Sequence, residues 1–253
     1  MKSIFITGAA SGIGLATARH FAAQGWYVGL YDINQTQIET LLAGNEFPRS
    51  CGGHCDVTSR ESIAAALVEF TGNTDGQLQV LVNNAGVLSA GNFANIDPDD
   101  HDLMMDVNVK GFTHVAQVGF PYLRDTPGAC MINLCSASSI HGVPGLAVYS
   151  ASKYFVNAMT QALHIEWAEH DIRVTCVKPA LVSTQMGNTV QANVTSAMTI
   201  DLAPEDIAVA IDKAIHGKRV SYVVGATARI WAVLDKFLPE AGRILLTRKL
   251  IAR

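Results

Sequence analysis

Apolar residues along this chain fall into two patterns, short continuous runs and longer stretches in which they recur every three or four positions. The runs predict buried strands at 4–6, 27–31, 78–82, 131–134 and 172–177, with a further strand running towards residue 55. Stretches with helical spacing lie between them, the first from Ile13 to Phe21. Strands that are apolar throughout suit a sheet covered on both faces. The pattern therefore predicts an α/β fold with a parallel sheet.

Cap residues mark where helices should begin. Thr58 and Glu61 have the spacing of a capping box, and Asp97 before Pro98 opens a long helix. Inside that long helix, Asn108 stands between two valines. An asparagine amide competes with the helical backbone for hydrogen bonds, so this position suggests a function for Asn108.

Composition bounds the size and the partners of the molecule. The 253 residues contain no Pro/Ser-rich or charged linker, which predicts a single domain, 1–253. With 49% hydrophobic and 16% charged residues, the chain can bury a large core. A net charge of −4 provides no basic field, which argues against nucleic acid as a partner.

The five cysteines are odd in number, and the chain start runs into a strand pattern without a signal-peptide stretch. Both facts favour a cytoplasmic protein. No apolar run approaches the about 18 to 20 residues that span a bilayer. Cys51, His54 and Cys55 lie close together, but a zinc site needs four converging ligands, and alternate residues of a strand point to opposite faces. We therefore expect no metal site.

A glycine-rich turn joins the first strand to the first helix. It contains Gly8, Gly12 and Gly14, with Ser11 between them. Glycines there let the backbone approach a pyrophosphate, whose charge is met by free N–H groups at the positive end of the helix. The alternative is a tight turn without a ligand. Strand and helix flank the turn as dinucleotide binding requires, which favours the binding role.

The second strand ends at Asp32, 18 residues after Gly14. A carboxylate at this position can accept both ribose hydroxyls of adenosine, whereas a 2′-phosphate would meet it as a like charge. Ile33 and Asn34 offer no guanidinium, and Ser11 is not basic. NAD is therefore favoured over NADP, although Asp32 could instead be a turn or cap residue.

Two further strand ends carry polar or small residues. Asp56 and Val57 follow the third strand, at the carboxyl end where residues of doubly wound sheets contact the edge of a cofactor. Asp56 could equally help to cap the next helix. Asn83, Ala85 and Gly86 follow the fourth strand and would permit close approach of a ligand. The amide of Asn83 could instead brace the sheet by bonding neighbouring main chain.

Tyr149 and Lys153 stand four residues apart, so on a helix they share one face. A tyrosine loses its proton near pH 10, so use as a base near neutrality requires a lower pKa. A unit charge about 4 to 5 Å away contributes about 3 to 4 kcal/mol at an effective dielectric of about 20, which is enough. An ordinary exposed pair is the alternative, and the neighbouring motifs favour the acid-base pair.

A hydroxyl for the substrate oxygen should come from the loop before Tyr149. Ser136 lies nearest the end of the fifth strand, where the scaffold is most rigid, whereas Ser138 and Ser139 lie further into the loop. We take those two as turn-forming hydroxyls. His141 is a candidate base in the same loop, with a pocket wall or a solvated group as the favoured alternative.

These motifs, in their order and spacing, resemble the short-chain dehydrogenase/reductase family over nearly the whole chain to about residue 225. The resemblance implies a Rossmann-type, doubly wound, mostly parallel seven-stranded sheet with helices on both faces. It implies that Tyr149 is the acid/base, that Lys153 lowers its pKa and holds the nicotinamide ribose, that Ser136 bonds the substrate oxygen, and that Asn108 anchors a proton relay. The implied NAD-binding positions are Gly8, Ser11, Gly12, Ile13, Gly14, Asp32, Ile33, Asp56, Val57, Asn83, Ala85, Gly86, Tyr149, Lys153, Val182 and Thr184.

The chain departs from the family pattern after the sixth strand, where Pro179 is followed by Ala180 instead of glycine. Ala180 requires an ordinary backbone angle or tolerates a small strain. By resemblance, Thr184 still matches the contact to the nicotinamide amide and Val182 a main-chain contact. A changed turn could shift both.

The segment expected to cover the substrate is 185–215, and the chain has no lysine or arginine from Pro179 to Asp212. A charged substrate would normally need a cation in its pocket, whereas this segment offers apolar side chains. These are Leu181, Met186, Val190, Val194 and Met198. We expect an uncharged, fairly apolar secondary alcohol or ketone that contacts Ser136, Tyr149, His141 and Met186. The alternative is that the apolar side chains pack on the core.

The last segment, 228–253, forms an amphipathic basic extension. From Arg229 onwards the segment contains six basic and two acidic residues. Its apolar residues recur with helical spacing and would form one stripe on a helix. The stripe consists of Ile230, Trp231, Leu234, Phe237 and Leu238. Packing against the pocket or a neighbouring subunit is favoured over attachment to a membrane surface.

Two rival functions remain open. One is an NADPH-dependent carbonyl or 3-oxoacyl reductase on the same scaffold, which Asp32 and the cation-free segment argue against. The other is a dinucleotide-binding regulator that has lost catalysis. A missing Ser136, Tyr149 or Lys153 would indicate such a regulator, but all three residues are present. Family habit implies a homodimer or homotetramer.

Overall fold

The structure is a computed structural model that describes residues 2–194 and 200–251, with side chains to 248. The described part forms one sheet of seven parallel strands in the order β3-β2-β1-β4-β5-β6-β7. The strands are β1 Ser3–Thr7, β2 Tyr27–Asp32, β3 Ser50–His54, β4 Val80–Asn83, β5 Cys130–Leu134, β6 Arg173–Pro179 and β7 Ser221–Val224. The predicted doubly wound, seven-stranded sheet is confirmed.

Helices connect the strands and cover both faces of the sheet. They are α1 Gly12–Ala23, α2 Gln35–Ala43, α3 Arg60–Gly72, α4 Pro98–Met105, α5 Phe112–Arg124, α6 Ala147–Glu166, α7 Gln185–Asn193, α8 Pro204–His216, α9 Ala226–Phe237 and α10 Glu240–Ile251. A π-helical turn, Asp106–Gly111, joins α4 to α5. Short 3₁₀ turns lie at Phe93–Asn95, Ala137–Ser139 and Trp167–His170.

Each face of the sheet has its own hydrophobic core, because successive side chains of a strand point in opposite directions. Ile4 and Ile6 of β1 pack with Phe21 of α1 in one core. Phe5, between them, belongs to the other core with Phe70 of α3. Full burial of each such side chain contributes about 1.5 to 3 kcal/mol, so the apolar strands hold both helical layers against the sheet.

Two strands differ from their predicted bounds by two residues at one end, each for a physical reason. β4 begins two residues late, because the Leu78 N–H donates to Thr126 Oγ1 at 2.9 Å instead of joining a ladder. β6 continues to Pro179, because Lys178 and Pro179 pair with β7. The neighbouring strand that extends β6 is remote in sequence, so the local pattern did not contain this information.

The predicted caps are correct for one helix and wrong for another. Asp97 caps α4 by accepting from the Asp99 N–H, and Pro98 occupies the first turn. The predicted capping box at Thr58 is wrong by one residue, because Ser59 Oγ accepts from the Ser62 N–H at 3.2 Å and is the N-cap of α3.

The strand order reverses between β1 and β4, where the chain crosses from one half of the sheet to the other. In open α/β sheets, such a switch point leaves a crevice at the carboxyl ends of the strands. The glycine turn after β1 and the polar residues after β4 and β5 meet at this edge, which sets the position of the site.

Candidate active site

A cleft of about 1240 Å³ opens at this edge of the sheet. Many of the sequence-predicted residues line it: Gly8, Ser11, Gly12, Ile13, Gly14, Asp32, Ala85, Gly86, Ser136, His141, Tyr149, Lys153, Val182, Thr184 and Met186. Ile33, Asp56, Val57, Asn83 and Asn108 are not among its lining residues. The structure thus brings together residues from six separate segments of the chain.

The glycine turn is shaped by backbone that only glycine tolerates well. Gly8 and Gly12 have positive φ angles of 69° and 53°. A Cβ on Gly14 would lie only 2.0 Å from the Gly8 carbonyl oxygen, so the helix packs directly on the turn. Asn84 holds the turn to β4, because its Nδ2 donates to the carbonyl oxygens of Thr7 and Gly8 at 2.8 and 3.1 Å.

The first turn of α1 is suited to an anion. Ser11 is its N-cap residue, and its side chain makes no capping hydrogen bond within the part of the chain that the structure describes. That turn carries no acidic side chain either. The free N–H groups and the positive end of the helix therefore face the cleft without an internal counter-charge.

Asp32, the last residue of β2, lines the cleft. Its carboxylate accepts hydrogen bonds from the backbone N–H groups of Ala10 at 3.0 Å and Asn34 at 2.9 Å. These bonds fix the orientation of the carboxylate and leave further lone pairs for ligand hydroxyls. Ile33, the next residue, is 67% exposed and lies outside the cleft lining.

One cation on the cleft wall did not emerge from the sequence. Arg19 of α1 lines the cleft, where its Nε and Nη2 donate to Glu46 at 2.5 and 3.2 Å. Gly12, Leu15 and Ala16 line the same wall. Helical spacing from Gly12 places residue 19 on that face, so the periodicity that predicted α1 contained the signal.

Asp56 and Val57 make structural contacts. Asp56 Oδ1 accepts from the Thr58 N–H and from Thr58 Oγ1, both at 2.8 Å. Val57 is buried, and a Cβ on Gly111 would lie 2.8 Å from its Cγ2. These contacts match the alternative in which Asp56 supports the start of α3. Contact of Asp56 with adenine stays a prediction.

Residues after β4 brace the sheet. Asn83 Nδ2 donates to the Phe112 carbonyl at 3.0 Å, and Thr7 Oγ1 accepts from the Ala85 N–H at 3.1 Å. The bracing alternative for Asn83 matches these contacts. A Cβ added at Gly86 would lie 3.2 Å from Asn108 Oδ1 and 3.6 Å from Lys153 Nζ. The lack of a side chain at Gly86 therefore leaves space beside these two polar groups.

Asn108 belongs to the π-helical turn and is buried. Its Oδ1 accepts from the Val87 N–H at 2.8 Å, and its Nδ2 donates to the Val87 carbonyl at 2.8 Å and to Ser152 Oγ at 3.3 Å. The amide therefore ties the segment after β4 to α6. π turns recur at functional sites because they disturb the regular helical bonding.

Ser136, Tyr149 and Lys153 converge on one wall of the cleft. Ser136 caps the 3₁₀ turn, and its Oγ accepts from the Ser138 N–H at 3.1 Å. Tyr149 and Lys153 lie on the buried face of α6. Lys153 Nζ donates to the Leu134 carbonyl at 3.0 Å and lies 5.6 Å from the centroid of the Tyr149 ring. This grouping provides a hydroxyl, a phenol and an ammonium beside one space.

Burial controls the ionisation of this group. It raises the pKa of Tyr149 to about 12, although a hydrogen bond with Ser136 acts in the opposite direction. Burial also lowers the pKa of Lys153. Both shifts follow from the cost of desolvating a charge. The sequence predicted the spacing of the pair, but the depth of burial required the fold.

His141 lies on the wall between this cleft and a neighbouring cavity of about 400 Å³. Its ring stacks on Trp231 of α9, with centroids 4.3 Å apart. Neither ring nitrogen has a hydrogen-bond partner among the described residues. Burial lowers the pKa of His141, so the neutral imidazole is favoured. This position matches the pocket-wall alternative for His141.

The segment after β6 covers the other side of the cleft. Val182 pairs with Leu202 in an isolated bridge, and Thr184 caps α7 by accepting from the Gly187 N–H at 3.1 Å. A Cβ added at Gly12 would lie 3.4 Å from the Thr184 methyl carbon, so this segment lies next to the glycine turn. Ala180 has no positive φ, as predicted.

The predicted apolar wall is present in part. Val190 is buried with Tyr149 in an apolar cluster against which Leu181 and Val194 pack. Met186 lines the cleft and is 36% exposed. Met198 lies outside the described residues. Tyr149 is a member of this cluster, and the packing contributes to the burial of its side chain.

The described residues offer neither a metal-binding cluster nor a membrane-spanning helix. No group of three or more His, Cys, Asp or Glu side chains there could hold a metal ion. Among the same residues, no helix combines the length and apolar character that crossing a bilayer requires.

The parallel sheet, its switch point and the glycine turn define a Rossmann-type α/β protein. A sequence profile described as short chain dehydrogenase matches residues 2–195. The 3-oxoacyl-(acyl-carrier-protein) reductase FabG of Thermotoga maritima is 34% identical and covers 88% of this chain and 94% of its own. The chain belongs to the short-chain dehydrogenase/reductase family and is an oxidoreductase.

Other relatives act on different alcohols. The meso-2,3-butanediol dehydrogenase of Serratia marcescens is 33% identical, over 74% of each chain. Among solved structures, the 3-ketoacyl-(acyl-carrier-protein) reductase from Brucella melitensis, complexed with NADH, has a TM-score of 0.77 and 26% identity. It covers 88% of this chain and 96% of that one. The family is thus established, while its members differ in substrate.

Proposed function

We propose that this protein is an NAD-dependent oxidoreductase that interconverts an uncharged, fairly apolar secondary alcohol and its ketone. The observation that carries the proposal is the convergence of Ser136, Tyr149 and Lys153 on the wall of the cleft that also contains the glycine turn and Asp32. An acid-base group and a dinucleotide-type pocket in one cleft are what hydride transfer at a carbinol carbon requires.

NAD, when bound, would supply the hydride acceptor for alcohol oxidation and the hydride donor for ketone reduction. Tyr149 would take the hydroxyl proton of the alcohol, or give a proton to the ketone oxygen in reduction. Ser136 would donate a hydrogen bond to that oxygen as its charge changes. Lys153 would favour the phenolate of Tyr149 by its positive charge, and Asn108 would hold the segment through which the proton is relayed.

We propose that the cofactor is held by three groups of residues. The turn at the start of α1 would meet the pyrophosphate, and Asp32 with Ile33, Asp56 and Val57 would meet the adenosine half. Asn83, Ala85, Gly86, Val182 and Thr184 would position the nicotinamide half with Tyr149 and Lys153. The fit rests on the unfilled N–H groups of the α1 start and on the carboxylate lone pairs of Asp32.

The proposed substrate class follows from the covering segment. Leu181, Val190 and Val194 pack around Tyr149, and His141 is favoured in its neutral form. The absence of lysine and arginine from 179–212 leaves this wall without a formal positive charge. A neutral substrate with apolar groups next to the carbinol carbon would lose the least hydration free energy on entering this part of the cleft.

The test is a panel of neutral and acidic alcohols and ketones, assayed with NAD(H) and NADP(H). We expect turnover of neutral secondary alcohols with NAD and abolition of turnover in Tyr149→Phe with NADH binding intact. Tyr154→Phe, on the same helix but bonded through its hydroxyl to the Ile140 carbonyl, is the matched control and should retain activity. Substantial activity of Tyr149→Phe, or a preference for acidic compounds, would refute the proposal.

A second candidate is an NADPH-dependent carbonyl or 3-oxoacyl reductase. The reductases of Thermotoga maritima and Brucella melitensis favour the substrate class, and Arg19 on the cleft wall favours a phosphate. Glu46 holds that guanidinium, and Asp32 would repel a 2′-phosphate. Faster turnover with NADPH and a 3-oxoacyl thioester than with NADH and a simple ketone would establish this candidate.

We further propose that the protein is a cytoplasmic homodimer or homotetramer with 1–253 as one domain. The family resemblance supports this assembly. Light scattering on the purified protein would give its native mass, and a monomer at working concentration would contradict it.

A further inference from the structure

The helix α9 has two apolar faces, and the described residues cover only one of them. Trp231 and Ala228 face inwards, where Trp231 lines the cleft and stacks on His141. On the opposite side, Ile230, Val233 and Phe237 are 59%, 57% and 80% exposed. Their spacing of three and four residues aligns them in one stripe. The sequence predicted one apolar stripe, whereas the structure divides its members between the two sides.

A basic row flanks this exposed stripe. Arg229 and Lys236 are both exposed and lie seven residues apart, so they occupy the same edge of the helix. Neither forms a salt bridge with an acid among the described residues. Arg229 Nε donates to the Val223 carbonyl at 3.2 Å, which leaves its positive charge without an acidic partner there. The acid within α9, Asp235, is instead paired with Arg243 of α10 at 2.6 Å. We name Arg229, Ile230, Val233, Lys236 and Phe237 the α9 outer face.

We propose that the α9 outer face binds the surface of an anionic lipid bilayer. A helix that lies on a membrane inserts apolar side chains between the headgroups and keeps basic side chains level with the phosphates. Phe237 is more exposed than any other large apolar side chain that the structure describes, which fits insertion. The surface is distinct from the cleft, so the proposal does not require the proposed reaction to be correct.

Charge favours lipid over a second copy of this chain as the occupant. Two copies joined through this face would bring their basic rows together, and like charges at close range repel. An anionic bilayer presents the opposite sign. The neighbouring helix α10 adds exposed Ile244, Leu245 and Arg248 to the same terminal segment. That segment is basic in a chain whose net charge is −4, so the attraction is confined to this end of the sequence.

The experiment is co-sedimentation of the full-length protein with vesicles of phosphatidylcholine alone or mixed with phosphatidylglycerol. We expect binding to the mixed vesicles, weak binding to the neutral ones, and loss of binding as salt increases. Arg229→Gln with Lys236→Gln should weaken partitioning by on the order of 30-fold, because each basic residue near such a surface contributes about fivefold. Lys213→Gln with Lys218→Gln, two exposed lysines outside the face, should change it little.

A second pair of variants tests insertion. Phe237→Glu should abolish vesicle binding, whereas Ile165→Glu, at a comparably exposed position on α6, should bind like the unmodified protein. Circular dichroism and thermal unfolding confirm that both variants fold. Failure of the unmodified protein to bind mixed vesicles, or equal binding by Phe237→Glu, would overturn the proposal. A fall in native mass of Phe237→Glu without any vesicle binding by the parent would identify the face as a contact between copies instead.

Discussion

Tyr149 is buried in the free protein, and this burial determines when its side chain can act as an acid or as a base. Its side chain packs in an apolar cluster, and burial raises its pKa to about 12. The protonated form therefore dominates near neutral pH. That form is the proton donor needed for ketone reduction, whereas alcohol oxidation needs the phenolate.

The two directions should consequently differ in pH dependence. We expect kcat/KM for oxidation to rise with pH through the alkaline range, by up to about tenfold per pH unit, because phenolate accumulates towards a raised pKa. Reduction should stay flat near neutrality and fall only as the phenol loses its proton. Lys153→Met should move the rising limb to higher pH, since removal of a cation disfavours the phenolate. Oxidation rates that do not change between about pH 6 and pH 10 would contradict a tyrosine base.

Asp32 and Arg19 place opposite charges on the wall of the cleft, in the part proposed for the adenosine half of the coenzyme. Asp32→Asn keeps the shape of the side chain and removes the charge that would repel a 2′-phosphate. We expect the ratio of kcat/KM for NAD over NADP to fall by at least about tenfold, since like charges at about 4 Å interact by several kcal/mol at protein-surface dielectric. Glu46→Gln should lower the same ratio by releasing Arg19. Measurement of both coenzymes at subsaturating concentration gives the ratio.

The matched control for that comparison is Glu39→Gln. Glu39 is an exposed acid of α2 that bonds Gln35, and it does not line the cleft. Its replacement should leave the coenzyme ratio unchanged. An unmodified protein that already prefers NADP would show that Asp32 does not select the coenzyme.

The start of α1 packs closely on the glycine turn. Gly14→Ala would place a methyl group 2.0 Å from the Gly8 carbonyl oxygen and 2.8 Å from Asn84 Nδ2. Because backbone must move, we expect a loss of about 1 to 3 kcal/mol in the free energy of unfolding. NADH binding should weaken as well, since the same turn would hold the pyrophosphate. Thermal unfolding and NADH fluorescence titration measure the two effects.

Gly72→Ala provides the comparison for that substitution. Gly72 ends α3, and a Cβ there would meet nothing within 4 Å. Alanine should therefore be neutral or stabilise the helix by up to about 1 kcal/mol, without an effect on NADH binding. Normal melting and normal NADH affinity of Gly14→Ala would show that the turn is looser than its geometry indicates.

Sequence patterns predicted elements better than they predicted contacts. Apolar runs were sufficient for β1 and β2, because these strands are buried on both faces. The extension of β6 to Pro179 was missed, since it depends on pairing with β7. The two sides of α9 were also missed, because periodicity cannot show which apolar side chains a neighbouring element covers. For the same reason, the spacing of Tyr149 and Lys153 predicted their common face but not the bond from Lys153 to the Leu134 carbonyl.

For the whole molecule, the cleft spans both halves of the sheet, because the glycine turn follows β1 and the Ser136 segment follows β5. A ligand that contacts both halves binds only the folded chain and must stabilise it. With free NADH at about 100 times its Kd, the gain is about 2.7 kcal/mol. For a chain of this size, that gain raises Tm by about 5 to 10 °C.

Thermal unfolding with NADH, with NADPH and without a coenzyme therefore tests the coenzyme proposal without any substrate. We expect the full shift with NADH and a smaller one with NADPH at equal concentration, because Asp32 would oppose the extra phosphate. Tyr149→Phe should keep the NADH shift, since its hydroxyl is proposed for proton transfer and the rest of the cleft is unchanged. Gly14→Ala should lose most of it. An equal or larger shift with NADPH would instead favour the reductase alternative, with Arg19 freed from Glu46 to meet the phosphate.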